Sequence, residues 1–303
     1  MANGTHDYID DPRNADILIS VNGDLFPRDK AVVSVFDSGF ILGDGVWEGL
    51  RLHNGNLAFV DQHLKRLFDG AKAIDMDMPL TPEELKARIL ATVSANNMSD
   101  GVHIRLMVTR GIKATPYQDP RITIGEPTIV IVPEFKNAKE ETLTRGITLF
   151  TVHVRRGRPD VQDPKLNTHS KHNCISACIQ AAKAGADEGL MLDPQGFVAT
   201  CNSTHFFIVT DGQIWTSTGD YCLPGITRSN ILRLCRENDI PSFEKNFSLS
   251  DVYAADEAFV TGTFAGIAPV REIDGRIIGN GTRGEMVERL QGLYLDLVER
   301  DCS

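Results

Sequence analysis

The run Leu223-Pro224-Gly225-Ile226-Thr227-Arg228-Ser229-Asn230 is followed by Ile231, Leu232 and Leu234, an apolar set at helical spacing. Proline and glycine shape a turn, Thr227 or Ser229 is a candidate cap, and the amides of a first helical turn lack partners within the helix. A turn that opens a helix in this way is an anion cradle. Further on, the apolar strand Ala258–Val260 leads into Thr261-Gly262-Thr263-Phe264-Ala265-Gly266. Its small residues, hydroxyls and flexible backbone suit successive amides turned towards a phosphate. A third candidate is Arg66, in His63-Leu64-Lys65-Arg66-Leu67, whose guanidinium can pair bidentately with a phosphate. Each pattern alone also reads as plain architecture: a capped helix, a glycine turn, a solvated arginine on an amphipathic helix. Three of them in one chain call for a phosphate-bearing ligand.

Working outward, Ile17–Val21, Asn22-Gly23 and Leu25-Phe26 read as a β-hairpin, because Asn-Gly supplies the positive φ of a two-residue turn. A second strand pair, Val46–His53 and Leu57–Val60, surrounds Asn54-Gly55-Asn56. Asp61 is expected to cap a helix whose Leu64, Leu67, Phe68, Ala71 and Ile74 share one face. Another helix spans about Pro82 to Asn96, opened by Thr81 with Glu84 at capping-box spacing, and strands follow at Val102–Thr109 and Thr128–Val132. The charged, aperiodic stretch after Phe135 reads as a linker. The expected plan is a domain of residues 1–135, a linker of 136–145 and a second domain of 146–303. The second half alternates short strands and turn dipeptides with helices from about Asn173, Ser229 and Glu285, which predicts an α+β domain with a curled, partly closed sheet.

With 303 residues and 42% hydrophobic content, the chain can bury the core of two ordinary domains. A net charge of -10 argues against a nucleic-acid partner, which needs clustered Lys and Arg. No stretch approaches the roughly 18 apolar residues of a membrane span, and the N-terminus is acidic (Asp7, Asp10, Asp11), so no membrane partner and a cytoplasmic location are expected. Cys174, Cys178, Cys201, Cys222, Cys235 and Cys302 stand singly, without zinc spacing, and read as reduced thiols. His169, His172 and Cys174 straddle a helix start and do not converge on one metal ion.

Several ordered stretches resemble the class IV (fold type IV) aminotransferases, the branched-chain type above all. They are Val32–Arg51, with Phe36-Asp37-Ser38-Gly39 and Gly45-Val46-Trp47-Glu48-Gly49-Leu50-Arg51; His63–Leu67; Gly185–Asp193; Leu223–Arg228; and Ala255–Thr263. The resemblance covers about residues 17–298. It implies a two-domain fold, pyridoxal 5'-phosphate at the domain junction and a homodimer. It further implies that Arg66, Ile226, Thr227, Thr263 and the amide of Phe264 hold the phosphate. The implied reaction moves an amino group from a small, aliphatic amino acid to a 2-oxo acid. A D-amino-acid or (R)-amine transaminase and an aminodeoxychorismate-type lyase share the scaffold as alternatives.

The chain departs from the family pattern twice. Relatives place the lysine that bonds to the cofactor in a register that here falls on Asn167, and an amide cannot form a Schiff base. Lys165 and Lys171 flank it; if residues 163–167 are extended, Lys165 shares a face with Asn167. Lys171, at a position where relatives carry an aromatic residue near the cofactor ring, is favoured over Lys165. Relatives also pair a glutamate with the pyridine nitrogen where this chain has Thr200, whose hydroxyl holds the ring proton less firmly. These departures leave open a cofactor-binding relative without turnover. For substrate, Arg105 inside an apolar strand is a carboxylate candidate, because a buried charge needs a partner, and Trp47 is a candidate pocket wall. Arg155, Arg156 and Arg158 are read as a solvated basic cluster.

Overall fold

The computed structural model describes residue 5 and residues 10–303; Asp7 and the rest of 1–4 and 6–9 lie outside the described residues. The chain forms two compact units. The first takes residues 10–137, Leu166–Lys171 and Val298–Ser303; the second takes Ala138–Lys165 and His172–Leu297, with Thr5.

In the first unit the strands are β1 (Leu18–Val21), β2 (Asp24–Pro27), β3 (Gly45–His53), β4 (Asn56–Leu57), β5 (Val102–Thr109), β6 (Ile112–Lys113), β7 (Thr123–Ile124) and β8 (Thr128–Phe135). The helices are α1 (Ser38–Leu42), α2 (Val60–Ala73) and α3 (Pro82–Ala95). Six strands form an antiparallel sheet in the order β2-β1-β8-β5-β3-β4, and β6 pairs with β7. Strand alternation sends Val46, Leu50, Ile104 and Leu106 to one face, where Leu64 and Leu67 of α2 and Leu85 and Ile89 of α3 cover them. The opposite face carries Trp47, Gly49, Arg105 and Met107, all only half-buried. The β1–β2 turn has Asn22 and Gly23 at φ 54° and 100°, as the hairpin reading requires.

The start of α2 differs from the sequence expectation. Phe59, at φ 52°, is its N-cap, Val60 is already helical, and Asp61 lies in the first turn. The acceptor for the Phe59 amide is the Asp301 carboxylate at 2.6 Å, so a residue from the chain's other end supplies the cap that local sequence was expected to provide. The capping box on α3, Thr81 with Glu84, is as expected.

The second unit carries β9 (Ile147–Thr151), β10 (Glu188–Leu192), β11 (Val198–Cys201), β12 (His205–Thr210), β13 (Gln213–Thr216), β14 (Ser242–Glu244), β15 (Glu257–Gly262), β16 (Gly266–Ile273) and β17 (Arg276–Ile277). They make a nine-stranded sheet along the path β11-β10-β9-β16-β15-β12-β13-β14, with β17 paired to β16. Its helices are α4 (Glu140–Thr144), within the stretch read as a linker, α5 (Pro159–Gln162), α6 (His172–Lys183), α7 (Ile226–Glu237) and α8 (Leu249–Tyr253). A last helix, α9, runs Glu285–Asp301. Leu190, Phe206, Ile208, Val260, Ala268 and Val270 anchor the core, the product of near-continuous apolar strands. Among the described residues no helix is long and apolar enough to cross a membrane.

Candidate active site

In the second unit, α7 begins at Ile226 with Gly225 as its N-cap and no side-chain cap. Neither Thr227 nor Ser229 caps it, because the Pro-Gly turn delivers the chain in helical register before either is reached. Consequently the Thr227 hydroxyl is not consumed locally. A Cβ on Gly225 would collide with the ring of His205, and His205 pairs in register with Thr261 across β12 and β15. The helix start therefore lies beside the strand end that opens into Thr261-Gly262-Thr263. Thr261 Oγ1 is buried without a hydrogen-bond partner, and among the described residues no partner is found for the side chains of Thr227 or Thr263. Two motifs read as anion cradles thus share His205 as a neighbour, its ring against Gly225 and its backbone paired with Thr261, with hydroxyl donors unspent. Such a donor set suits a phosphate ester. Phe264 is buried at the end of the same turn.

Thr200, on β11, is buried and gives its hydroxyl proton to the carbonyl of Thr204 at 2.8 Å. With that proton engaged, only oxygen lone pairs remain to meet a ring nitrogen. Residues 163–167 are not extended as a run: Pro164 and Lys165 form a turn. That turn leaves Lys165 exposed, its ammonium 3.9 Å from Asp220 Oδ1, a surface pair. The basic cluster is only partly solvated, since Arg156 donates to Tyr221 O, Asn173 Oδ1 and Cys174 Sγ.

The first unit builds a different constellation. Glu48 occupies a buried phase of β3, which the apolar spacing of that strand would assign to the core. Helix α2 lays His63 and Arg66, one turn apart, against it. His63 Nδ1 lies 2.7 Å from Glu48 Oε2, while Arg66 donates from Nε to Oε1 at 2.8 Å and from Nη2 to Oε2 at 2.7 Å. Arg66 is therefore held in a bidentate pair rather than solvated. Burial alone would push the Glu48 carboxyl up, but the hydrogen bonds from His63 and Arg66 outweigh it and hold the group below its ordinary range. His63 is held below its ordinary value, chiefly by burial.

On the opposite face of the sheet, the Arg105 guanidinium stacks 3.8 Å from the Trp47 ring centroid. Burial pulls Arg105 below its ordinary value. Among the described residues no hydrogen-bond acceptor serves its guanidinium, although a guanidinium offers five donors. Lys171 Nζ lies 5.3 Å from the same ring, and residues 167–169 run against the start of β3 through Trp47 N to Asn167 O and His169 N to Gly45 O, both 3.0 Å. The unit thus gathers Trp47, Arg105 and Lys171, while Lys165 belongs elsewhere. Sequence reading gave no role to Glu48 or to the buried His63; the available signal was a carboxylate and an imidazole placed on apolar phases.

Comparison with known proteins gives the family. A family model described as amino-transferase class IV matches residues 45–273. The chain belongs to the class IV aminotransferases. It is 40% identical over 282 residues to the "Putative branched-chain-amino-acid aminotransferase" of Methanocaldococcus jannaschii, covering 92% of this chain and 96% of that protein. It is also 40% identical to "Branched-chain-amino-acid aminotransferase-like protein 2" of Arabidopsis thaliana, over 95% of this chain but 51% of the relative, so it spans about half the length of that plant protein. Among solved structures, the T.th. branched-chain amino acid aminotransferase with pyridoxamine 5'-phosphate superposes with a TM-score of 0.86 at 30% identity, covering 94% of this chain and 95% of that one. The curled sheet of this fold type is the β9–β17 sheet of the second unit.

Proposed function

We propose that this chain is a pyridoxal 5'-phosphate-dependent aminotransferase that takes an amino group from a small, branched aliphatic L-amino acid and passes it to a 2-oxo acid such as 2-oxoglutarate. The observation that carries the reading is the set of unspent hydroxyls at the start of α7 and the end of β15: buried Thr261, half-buried Thr263 and Thr227, on segments that both lie against His205. When bound, the coenzyme supplies an aldehyde for amine attachment and a ring that accepts electrons from the substrate carbon. Ile226, Thr227, Thr263 and the amide of Phe264 hold its phosphate, and Arg66, oriented by Glu48, adds positive charge. Thr200 accepts from the ring nitrogen through its remaining lone pairs. Lys171 is the covalent attachment point and the base that moves the substrate proton. Arg105 takes a substrate carboxylate with its unengaged donors, and Trp47 forms an apolar wall that excludes water from the amine.

The same unit leaves Val32, Val35 and Phe40 in water at 75%, 67% and 71% exposure, a costly arrangement for one copy, which supports a homodimer. The test is spectroscopic. Purified protein loaded with pyridoxal 5'-phosphate is expected to show a visible band that bleaches on mixing with L-leucine or L-valine and returns with 2-oxoglutarate. Bleaching by D-alanine alone would move the substrate to the other enantiomer. A band that no amino donor bleaches would sink the transaminase reading.

A further inference from the structure

Asn167 is held at both ends of its side chain. Its Nδ2 donates to the backbone carbonyl of Trp47 at 2.6 Å, and its Oδ1 accepts from Lys171 Nζ at 3.0 Å. The amide can serve these partners in one orientation only, since a flip would set carbonyl against carbonyl and NH2 against an ammonium. The residue is 6% exposed, and its backbone carbonyl also accepts from Trp47 N, so the amide is fixed by β3 before Lys171 meets it. Around it, Trp47 Nε1 donates to Thr168 O at 3.0 Å and the ring of His169 lies 3.1 Å from Val46 O. A flexible four-carbon stem is thereby tied at its tip by a rigid acceptor four residues back in the chain, with the amine standing 5.3 Å from the Trp47 ring.

From this geometry we infer that Asn167 is the positioning residue for the Lys171 amine: an amide in place of an amine at 167 and an amine at 171 form one working pair. The inference rests on the reading of Lys171 as the attachment lysine. In the attachment step the Lys171 nitrogen forms a C=N bond to the coenzyme's aldehyde carbon. The carbonyl oxygen leaves as water with the two hydrogens of the neutral amine, and nothing is oxidised or reduced. Asn167 touches neither reacting carbon; it restricts where the nitrogen waits.

The experiment mixes the full chain with stoichiometric pyridoxal 5'-phosphate, quenches with borohydride at timed intervals, and maps the pyridoxyl peptide by mass spectrometry. In the parent the label is expected on Lys171. Asn167→Leu keeps the size but removes the acceptor, and is expected to slow labelling of Lys171 about tenfold, the scale of one hydrogen bond to a charged group. Asn167→Gln retains both the carbonyl acceptor and the NH2 donor and is expected to recover part of the rate, while thermal unfolding of the two variants is compared to separate loss of positioning from loss of fold. Should the leucine variant not fold, Asn167→Ala is read in the same way. Parent-like labelling in the variants without an acceptor overturns the role of Asn167 and leaves Lys171 in place. Label found on Lys165, or no reducible label in the parent, overturns the attachment reading itself.

Discussion

Replacing Glu48 by glutamine removes one charge while leaving the shape of the side chain almost unchanged. The carboxylate is 0% exposed, His63 is 1% exposed and Arg66 14%, so water is absent from one partner set and scarce for the other. Both carboxylate oxygens are used, and the amide NH2 of glutamine would turn a donor towards a donor on either His63 or Arg66. Breaking a buried ion pair by removing one partner costs about 3–5 kcal/mol. The lower end, about 3 kcal/mol, is expected here because the Arg66 guanidinium keeps some access to solvent. Urea unfolding followed by Trp47 fluorescence in a Trp215→Phe background reads the unit concerned. The pH dependence adds a second signature. His63 is held below its ordinary value of 6.5 in the fold, so its contribution is full above that pH and declines below it, as the unfolded chain takes up a proton that the folded one refuses. Glu48 is held below its ordinary value of 4.5, so its contribution is full above 4.5 and is lost as the pH falls through the folded value. Stability of the parent should thus decline in two acid stages, and Glu48→Gln should shrink the lower one, to which other lowered carboxylates such as Glu84 and Asp119 also contribute. An unfolding free energy within about 1 kcal/mol of the parent, with both stages intact, would refute the buried-pair reasoning.

Three further outcomes are expected. Asp301→Ala deprives the Phe59 amide of its acceptor and should destabilise the first unit by about 1 kcal/mol in urea unfolding; an unchanged midpoint would show that α2 needs no distant cap. Arg105→Lys loses the planar fork stacked on Trp47 and should raise KM for the 2-oxo acid about tenfold, whereas an unchanged KM would remove Arg105 from the substrate site. In the native protein a thiol reagent should modify exposed Cys178 first and leave Cys235 untouched, since burial pushes that thiol up to about 11; early reaction of Cys235 would contradict the packing of α7.

The elements most legible in the sequence are those whose signals are local. The Asn22-Gly23 turn, the capping box of α3 and the apolar faces of α2 and α3 follow from positive φ, a reciprocal side-chain cap and helical spacing, each contained within a few residues. The same holds for the Pro224-Gly225 turn, although its helix starts at Ile226 rather than at a hydroxyl cap. Arg66 shows the limit of such reading, because helical periodicity offers a solvated arginine until β3 places Glu48 beneath it.

The glycine-bearing turns and the amphipathic helices were legible in the sequence alone, because backbone preference and periodicity act between near neighbours along the chain. Only the tertiary structure decided which lysine meets an amide, which carboxylate holds Arg66 and which distant aspartate closes α2. The reason is desolvation: a polar group removed from water must take whichever partner the packed strands and helices bring within about 3 Å, and sequence separation has no bearing on that choice.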